Sequence, residues 1–244
     1  MALLLSEPRS IPLPRLRREG IRWRTVAPGT VEIAIEVANP TDRPTEPDVL
    51  VVEAAPLGAF LPFEPIARQP VDSLAPGERK WVSVHVARSV LDRFNLDEEM
   101  CSIFEAVCQS EWAGNLNVWF DRAPDQAVER HQARGLQIRA GGRMHLLFLL
   151  PPDTGEFRIE AAWNRPGWSA RVYGHLGEVR NRASFRHGSD FGLLLVEAPR
   201  QVGAQATVET RVTRSRDGKM VPVEFSFTSV DGASSRLGCT KVQR

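Results

Sequence analysis

Apolar and polar residues alternate with a period of two along several stretches of the chain. Every second position of 31–37 is valine or isoleucine, and the positions between them hold glutamate or alanine. Because successive side chains of a β-strand point to opposite faces of a sheet, this pattern predicts a strand with one buried and one exposed face. The stretches 82–86, 208–212 and 221–227 repeat the pattern.

Similar runs of apolar and β-branched residues recur along the whole chain, with glycine or proline between them. The predicted strands are 21–26, 30–39, 48–55, 79–87, 115–121, 136–139, 143–150, 156–163, 169–173, 191–197, 205–214 and 220–230. Asp217 and Gly218 supply the turn of a β-hairpin between the last two. Many short strands without alternating helices favour antiparallel sandwiches, so we expect an all-β fold.

A weak internal repeat favours two copies of one plan over a single large sandwich. The segment 29–37, which ends on a proline turn, can be aligned with 142–150. Gly77 and the valines after it align in the same way with Gly203 and the strand after it. We therefore predict two tandem antiparallel immunoglobulin-like β-sandwich domains. The predicted parts are an arm at 1–20, domain 1 at 21–123, a polar linker at 124–134 and domain 2 at 135–244.

The first predicted domain contains an additional segment, 88–111, which carries the helical pattern of the chain. Asn95 is a candidate N-cap and Glu98 stands in the capping-box position, which predicts a short amphipathic helix over 96–109. Its apolar face consists of Met100, Ile103, Phe104 and Val107. Two interpretations stay open: a plug over one end of the sandwich, or a protrusion that binds a partner.

The first half of the chain resembles bacterial immunoglobulin-like domains of the CARDB and related types. The resemblance covers about 21–87 and is carried by IAIEVANPTDRP (33–44), SLAPGE (73–78) and the alternating strand after them. These motifs encode turns and strands, so the resemblance implies a fold and transfers no catalytic residue. It also implies a role as an adhesion, spacer or accessory module. Such domains are often exported, whereas this chain shows no export signal.

Composition and charge narrow the environment and the partners. The chain is 42% hydrophobic and 25% charged with a formal net charge of +1, so no overall field attracts nucleic acid or an anionic membrane. No stretch approaches the ~20 apolar residues that cross a bilayer. Three cysteines without a signal peptide favour free thiols in a reducing compartment. We expect a cytoplasmic protein without membrane contact and do not expect nucleic acid as a partner.

The chain lacks the local motifs of the common catalytic and cofactor sites. It has no GxSxG elbow, no phosphate-binding loop and no dinucleotide-binding glycine motif. The residue types of a serine triad occur at 187–190, but adjacent residues do not converge on one point, which favours a polar loop. No histidine or cysteine pair has metal-ligand spacing. We therefore expect no catalytic residue, no metal and no cofactor.

Two groups of residues are the candidates for binding a partner. The arm carries Arg15, Arg17 and Arg18 among prolines, an extended basic pattern that suits an acidic surface; the alternative is a solvated tail. Around a Pro-Gly turn lie Trp163, Arg165 and Trp168, an aromatic and basic set typical of recognition loops, whose alternative is core packing. A further candidate for binding a partner is Phe94, which lies in the additional segment 88–111.

The hypothesis that follows is a non-enzymatic structural or protein-binding module, including a subunit of a larger assembly. One alternative is a carbohydrate-binding accessory module, which needs solvent-facing tryptophans in a row. Another is a hydrolase whose site is assembled from dispersed residues such as His175, His187 and Asp190.

Overall fold

A computed structural model describes residues 12–94, 114–151, 157–174, 177–179, 182–185 and 191–231. The elements in this part of the chain are β1 (Arg15–Ala27), β2 (Thr30–Ala38), β3 (Asp48–Ala55), β4 (Glu64–Val71), β5 (Arg79–Ala87), α1 (Arg88–Asp92), β6 (Gly114–Phe120), β7 (Ala123–Arg139), β8 (Arg143–Leu149), β9 (Phe157–Trp163), β10 (Ser169–Gly174), β11 (Gly177–Val179), β12 (Arg182–Phe185), β13 (Phe191–Glu197), β14 (Gln205–Arg214) and β15 (Met220–Val230). The prediction of an all-β protein is confirmed.

Most observed strands lie where the alternation predicted them, and β3, β5, β13, β14 and β15 have the predicted bounds. Strand β4 was not predicted. Its sequence contains Pro65 and Pro70 and shows no regular alternation of buried and exposed residues. Proline is tolerated in an edge strand, and β4 is the last strand of its sheet.

The residues of the predicted linker, 124–134, have regular structure. All of these residues lie in β7, which pairs with β15 in parallel from His131 opposite Val223 to Arg139 opposite Val230. The polar composition of this segment had suggested a linker. In the structure one of its polar side chains pairs within the sheet: Gln132 donates a 2.8 Å hydrogen bond to Glu224. This parallel pair also departs from the wholly antiparallel pairing that we predicted.

The predicted arm and helix have different outcomes. Residues 15–20 of the predicted arm lie in β1, which pairs with β2. The helix predicted over 96–109 lies outside the described residues. The observed helix α1 begins at Arg88, earlier in the predicted insertion.

The chain divides into two compact units, and each unit combines segments that are distant in sequence. Unit 1 comprises the described parts of 1–53, 65–87 and 117–129. It contains the antiparallel sheet β1-β2-β5, and the strand order β4-β3-β6-β7 supplies its other strands. Buried side chains of the sheet include Trp23, Ile33 and Ile35.

The turn after β2 in unit 1 is held by a buried asparagine. The Asn39 amide donates to the carbonyls of Arg43 at 2.7 Å and of Leu74 at 3.0 Å, and its Oδ1 accepts from the Thr41 hydroxyl at 2.6 Å. Because a buried amide is stable only when its donors and acceptors are paired, Asn39 joins this turn to the segment before β5.

Unit 2 comprises the described parts of 54–64, 88–116 and 130–244. Its strand orders are β11-β10-β13-β8 and β12-β9-β14-β15-β7, with the second half of β7 at the end of the latter. Large buried side chains such as Phe157, Trp168 and Phe225 fill one hydrophobic cluster.

The segment 54–64 belongs to unit 2 through a set of short contacts around Gly58. Leu149 N donates to Leu57 O at 2.9 Å, and Ala59 N donates to Leu149 O at 3.0 Å. The carbonyl of Gly58 accepts from Nδ2 of Asn115 at 3.0 Å and from Nδ1 of the buried His131 at 2.9 Å. The segment 54–64, which connects β3 with β4, is thereby packed within unit 2.

Candidate binding surface

The outer face of the sheet β1-β2-β5 combines an exposed tryptophan with several arginines. In β2 the isoleucines point inward, so the residues between them, including Glu36, point outward. In β5, Val84 and Val86 are buried, which places Trp81 and Ser83 on the outer face. The alternation that builds the core therefore also presents Trp81 to solvent.

Trp81 is 47% exposed, a large fraction for an indole. It lies opposite Glu36, whose outward neighbours along β2 are Ala34 and Ala38. Because alanine side chains are small, they leave the ring accessible. Arg22, which lies opposite Ala34, places its guanidinium carbon 4.9 Å from the centroid of the Trp81 ring. This contact has the geometry of a cation–π interaction and orders the exposed indole.

Strand β1 has an irregularity where it passes Glu36 of β2. Leu16 pairs with Val37 and the next pair is Ile21 with Ile35, so the four residues 17–20 face the single residue Glu36. Gly20 permits this close approach: a Cβ at this position would lie 2.9 Å from the Glu36 Cβ. The row across the sheet is therefore Trp81, Glu36 and the bulge.

We define the Trp81 face as Arg15, Arg22, Glu36, Arg79 and Trp81. Arg15 and Arg79 lie on either side of Ala38, in the row next to Trp81. Both are exposed. With three arginines and one glutamate, the face carries an excess of positive charge around an aromatic ring.

A second row of this sheet is held by a charged network. Arg24 donates to Glu32 at 2.6 Å, and the Ser83 hydroxyl donates to the other carboxylate oxygen at 2.9 Å. The hydrogen bond from Arg24, followed by that from Ser83, lowers the pKa of Glu32 below its ordinary value of 4.5. Glu32 is therefore already paired with residues of its own sheet.

The structure brings some of the predicted binding residues together and separates others. Arg15, Arg17 and Arg18 all lie in β1, with Arg17 exposed and Arg18 half-buried in the bulge. In unit 2, Trp163 is 38% exposed and Arg165 is exposed.

Phe94 and Trp168 are placed differently, because both side chains are only 4% exposed. The Trp168 ring packs 5.9 Å from the ring of Phe227, and the guanidinium of Arg93 covers Phe94 at 4.7 Å. Neither ring is presented on the described surface, so we leave both out of the binding surface.

Trp81 was missed in the sequence, where most tryptophans were interpreted as core residues. The signal was present: valines at 82, 84 and 86 point inward, so a residue at 81 shares its face with Ser83 and His85. The strand period predicts that residue 81 is exposed, whereas its residue type suggests that it is buried. In the structure Trp81 is exposed, as the strand period predicts.

The described residues offer little catalytic geometry. They contain no group of three or more histidine, cysteine, aspartate or glutamate side chains placed to hold a metal. His131 is buried at 1% exposure and is used for packing the segment 54–64. His175, His187 and Asp190 lie outside the described residues. In the part of the chain that the structure covers, no helix is long and apolar enough to cross a bilayer.

Comparisons with known proteins do not assign the chain to a family. No family model matches it, and no curated protein matches it. Weak structural similarity relates 48% of this chain to 14% of DesR, a β-glucosidase from Streptomyces venezuelae, at 14% identity and a TM-score of 0.31. It relates 89% of this chain to 32% of red sea bream transglutaminase, at 13% identity and a TM-score of 0.28.

A glycosyl hydrolase family 2 member from Bacteroides cellulosilyticus is similar over 81% of this chain and 23% of its own length, at 9% identity and a TM-score of 0.28. The chain thus spans less than a third of the length of each of these proteins. Similarity at this level carries no argument about activity.

Proposed function

We propose that this protein is a non-enzymatic binding module of two immunoglobulin-like sandwiches and that it docks another protein through the Trp81 face. The observation that carries the proposal is the exposed Trp81 ring with Arg22 stacked on it, 4.9 Å from its centroid. Location in the cytoplasm stays part of this proposal.

The strand orders support the fold part of the proposal. Unit 1 combines a three-stranded sheet with the order β4-β3-β6-β7, and unit 2 combines a four-stranded order with a five-strand order. Two layers of mostly antiparallel strands around an apolar core are the architecture of immunoglobulin-like domains. The parallel pairing of β7 with β15 is the variation within that plan.

The chemistry of the Trp81 face supports protein binding. Tryptophan and arginine are the residue types most enriched among the side chains that dominate protein interfaces. Here Arg22 holds the indole in place before binding, which reduces the rotational freedom lost in a complex. The side chains of Ala34 and Ala38 are small and leave space beside the Trp81 ring, so that a partner can contact the ring.

The proposal is tested by a pair of variants with matched exposure. Trp81 and Met220 are each 47% exposed, but Trp81 lies in unit 1 and Met220 in unit 2. Affinity capture from the source cell should recover a protein with the wild type and with Met220→Ala, and lose it with Trp81→Ala. The recovered protein is then purified and titrated calorimetrically against all three chains. We expect Trp81→Ala to weaken binding by about tenfold or more, the change of an interface hot spot.

Equal binding of the wild type and Trp81→Ala would remove the Trp81 face from the account. Thermal unfolding of both variants serves as the control for folding, since a partly exposed ring contributes little to the core.

The carbohydrate alternative makes a different prediction. Among the described tryptophans, the large exposed fractions belong to Trp81 and Trp163, which lie in different units. Binding of the wild type on a glycan array, lost with Trp81→Ala, would favour that alternative. The hydrolase alternative depends on residues outside the described part of the chain and is tested by assay of the full chain on glycosidic and ester substrates.

A further inference from the structure

Three loops of unit 2 meet at one end of its strands. They are the turn between β7 and β8, the loop between β9 and β10, and the loop between β13 and β14. Gly141 N donates to Pro199 O at 2.8 Å, and Ala198 N donates to Gly142 O at 3.0 Å. A Cβ on Gly167 would lie 3.3 Å from the Pro199 Cβ, so the third loop is in contact as well.

The loop between β9 and β10 is fixed at both ends. Thr207 N donates to the Asn164 Oδ1 at 2.9 Å, and Asn164 N donates to Thr207 O at 3.2 Å. At its other end, the buried Trp168 ring packs against Phe227. The residues between these anchors, including Arg165, are exposed. The loop is therefore held in place while its tip faces solvent.

This end of unit 2 exposes apolar side chains together with arginines. Trp163 is 38% and Val202 is 57% exposed. The arginines at this end are Arg139, Arg143, Arg165 and Arg200, all of them exposed. We call these residues, with Trp163 and Val202, the arginine loop end.

The four arginines have no carboxylate partner within the described residues. Glu197, which lies opposite Arg143 in the pairing of β13 with β8, accepts a 2.8 Å hydrogen bond from the Ser169 hydroxyl. Elsewhere in unit 2 the pattern differs: Arg211 donates to Glu209 at 2.7 Å, and Arg158 lies 2.8 Å from Glu160. Among the described residues, Arg158 and Arg211 are thus paired with neighbouring carboxylates, whereas the four arginines of the arginine loop end are not.

We infer that the arginine loop end binds an acidic segment of a polypeptide. A guanidinium presents a planar fork of donors that matches a carboxylate with two parallel hydrogen bonds. Trp163 and Val202 supply apolar contact for side chains between the acidic residues of such a segment. This site goes beyond the proposed docking through the Trp81 face, because it uses other residues in the other unit.

The charges favour a polypeptide over a nucleic acid. Nucleic-acid binding draws most of its affinity from many phosphate contacts and from a basic overall field. Here the net charge is +1, and the four arginines come from two strand ends (Arg139, Arg143) and two loops (Arg165, Arg200) and not from a continuous stripe. A short acidic segment needs only a few forked contacts, which the arginine loop end can supply.

The inference is tested on the full chain with a fluorescein-labelled peptide of aspartate, glutamate and phenylalanine, followed by fluorescence anisotropy. The same peptide with asparagine and glutamine is the comparison probe. We expect Arg165→Gln combined with Arg200→Gln to weaken binding of the acidic peptide by about tenfold or more. The matched control is Arg216→Gln combined with Lys219→Gln, which removes the same charge from the turn at the opposite end of β14 and β15. The control should bind like the wild type.

Three results would overturn the inference: equal weakening by both double variants, equal binding of the amide peptide, or tighter binding of single-stranded DNA or heparin. Trp163→Ala adds a readout of the apolar contact and should weaken the acidic peptide by a few fold. Trp81→Ala separates this inference from the proposed function, since it should leave the acidic peptide bound while it removes the partner of the Trp81 face.

Discussion

Gly58 is the position where a single methyl group should have a large effect on stability. A Cβ at this residue would lie 2.2 Å from the Leu149 carbonyl oxygen and 2.8 Å from Cδ1 of Leu61. The leucine side chain can rotate away, whereas the carbonyl belongs to the backbone of a strand. Gly58→Ala therefore forces the segment 54–64 and β8 apart by about 1 Å, since ordinary contacts of this kind exceed 3 Å.

The cost of this movement follows from the bonds it breaks. The segment 54–64 and β8 exchange hydrogen bonds of 2.9 and 3.0 Å on either side of Gly58. The Gly58 carbonyl also accepts from Asn115 and His131, both buried. At about 1 kcal/mol for each bond, and with two to four bonds lost or weakened, we expect a decrease of about 2–4 kcal/mol in the free energy of unfolding.

The assay is urea denaturation followed by tryptophan fluorescence, with Gly218→Ala as the control. Gly218 lies in the same unit and has open space around it, but its φ of +67° disfavours alanine. Its substitution should cost about 1 kcal/mol through backbone strain. If Gly58→Ala is no more destabilising than Gly218→Ala, the packing described for the segment 54–64 is wrong.

The remaining predictions concern burial, pairing and pH. Trp23→Ala should cost about 3–5 kcal/mol in urea denaturation because Trp23 is 4% exposed, whereas Trp81→Ala should cost less than about 2 kcal/mol; equal costs would contradict the assignment of inner and outer faces. Asn39→Ala should cost about 2–3 kcal/mol by the same measurement, because it leaves buried backbone groups unpaired. The hydrogen bonds from Arg214 lower the pKa of Asp217 from 3.8 to about 2. Because a lowered carboxyl pKa stabilises the fold above the unfolded value, this contribution is present above about pH 4 and lost as the pH falls toward 2; Asp217→Asn should remove that part of the acid dependence.

Local patterns in the sequence were sufficient for most strands. The alternation in 205–214 and 220–230 predicted the bounds of β14 and β15, because each strand has one face on an apolar core and one in solvent. The signal failed where a strand lacks that contrast. In β4 most positions are half-buried or exposed, and at the start of β7 residues 124–127 are all exposed.

The organisation of the units could not be derived from neighbouring residues. The segment 54–64 belongs to unit 2 through contacts with Leu149, Asn115 and His131, which lie about 50 to 100 residues away in sequence. The boundaries at 21–123 and 135–244 stay a prediction, and they differ from the alternating segments of the two compact units.

The candidate surface was predicted in part. The charges of Arg15, Arg17 and Arg18 indicated a basic region, but the place of Arg15 in the Trp81 face, and of Arg17 and Arg18 in the bulge opposite Glu36, depends on the pairing of β1 with β2. Trp163 and Arg165 were recognised from residue type and a Pro-Gly turn. The burial of Trp168 results from contact with a strand that lies far from it in sequence.

Docking through the Trp81 face is tested most directly by site-specific photo-crosslinking. A photoreactive amino acid replaces Ser83, which is exposed and lies two residues from Trp81 on the same face, and in a second chain it replaces Met220. Both chains are irradiated with the partner recovered by affinity capture. We predict a crosslinked complex from position 83, lost when Trp81→Ala is combined with it, and none from position 220. A crosslink from position 220 with none from position 83 would contradict docking through the Trp81 face.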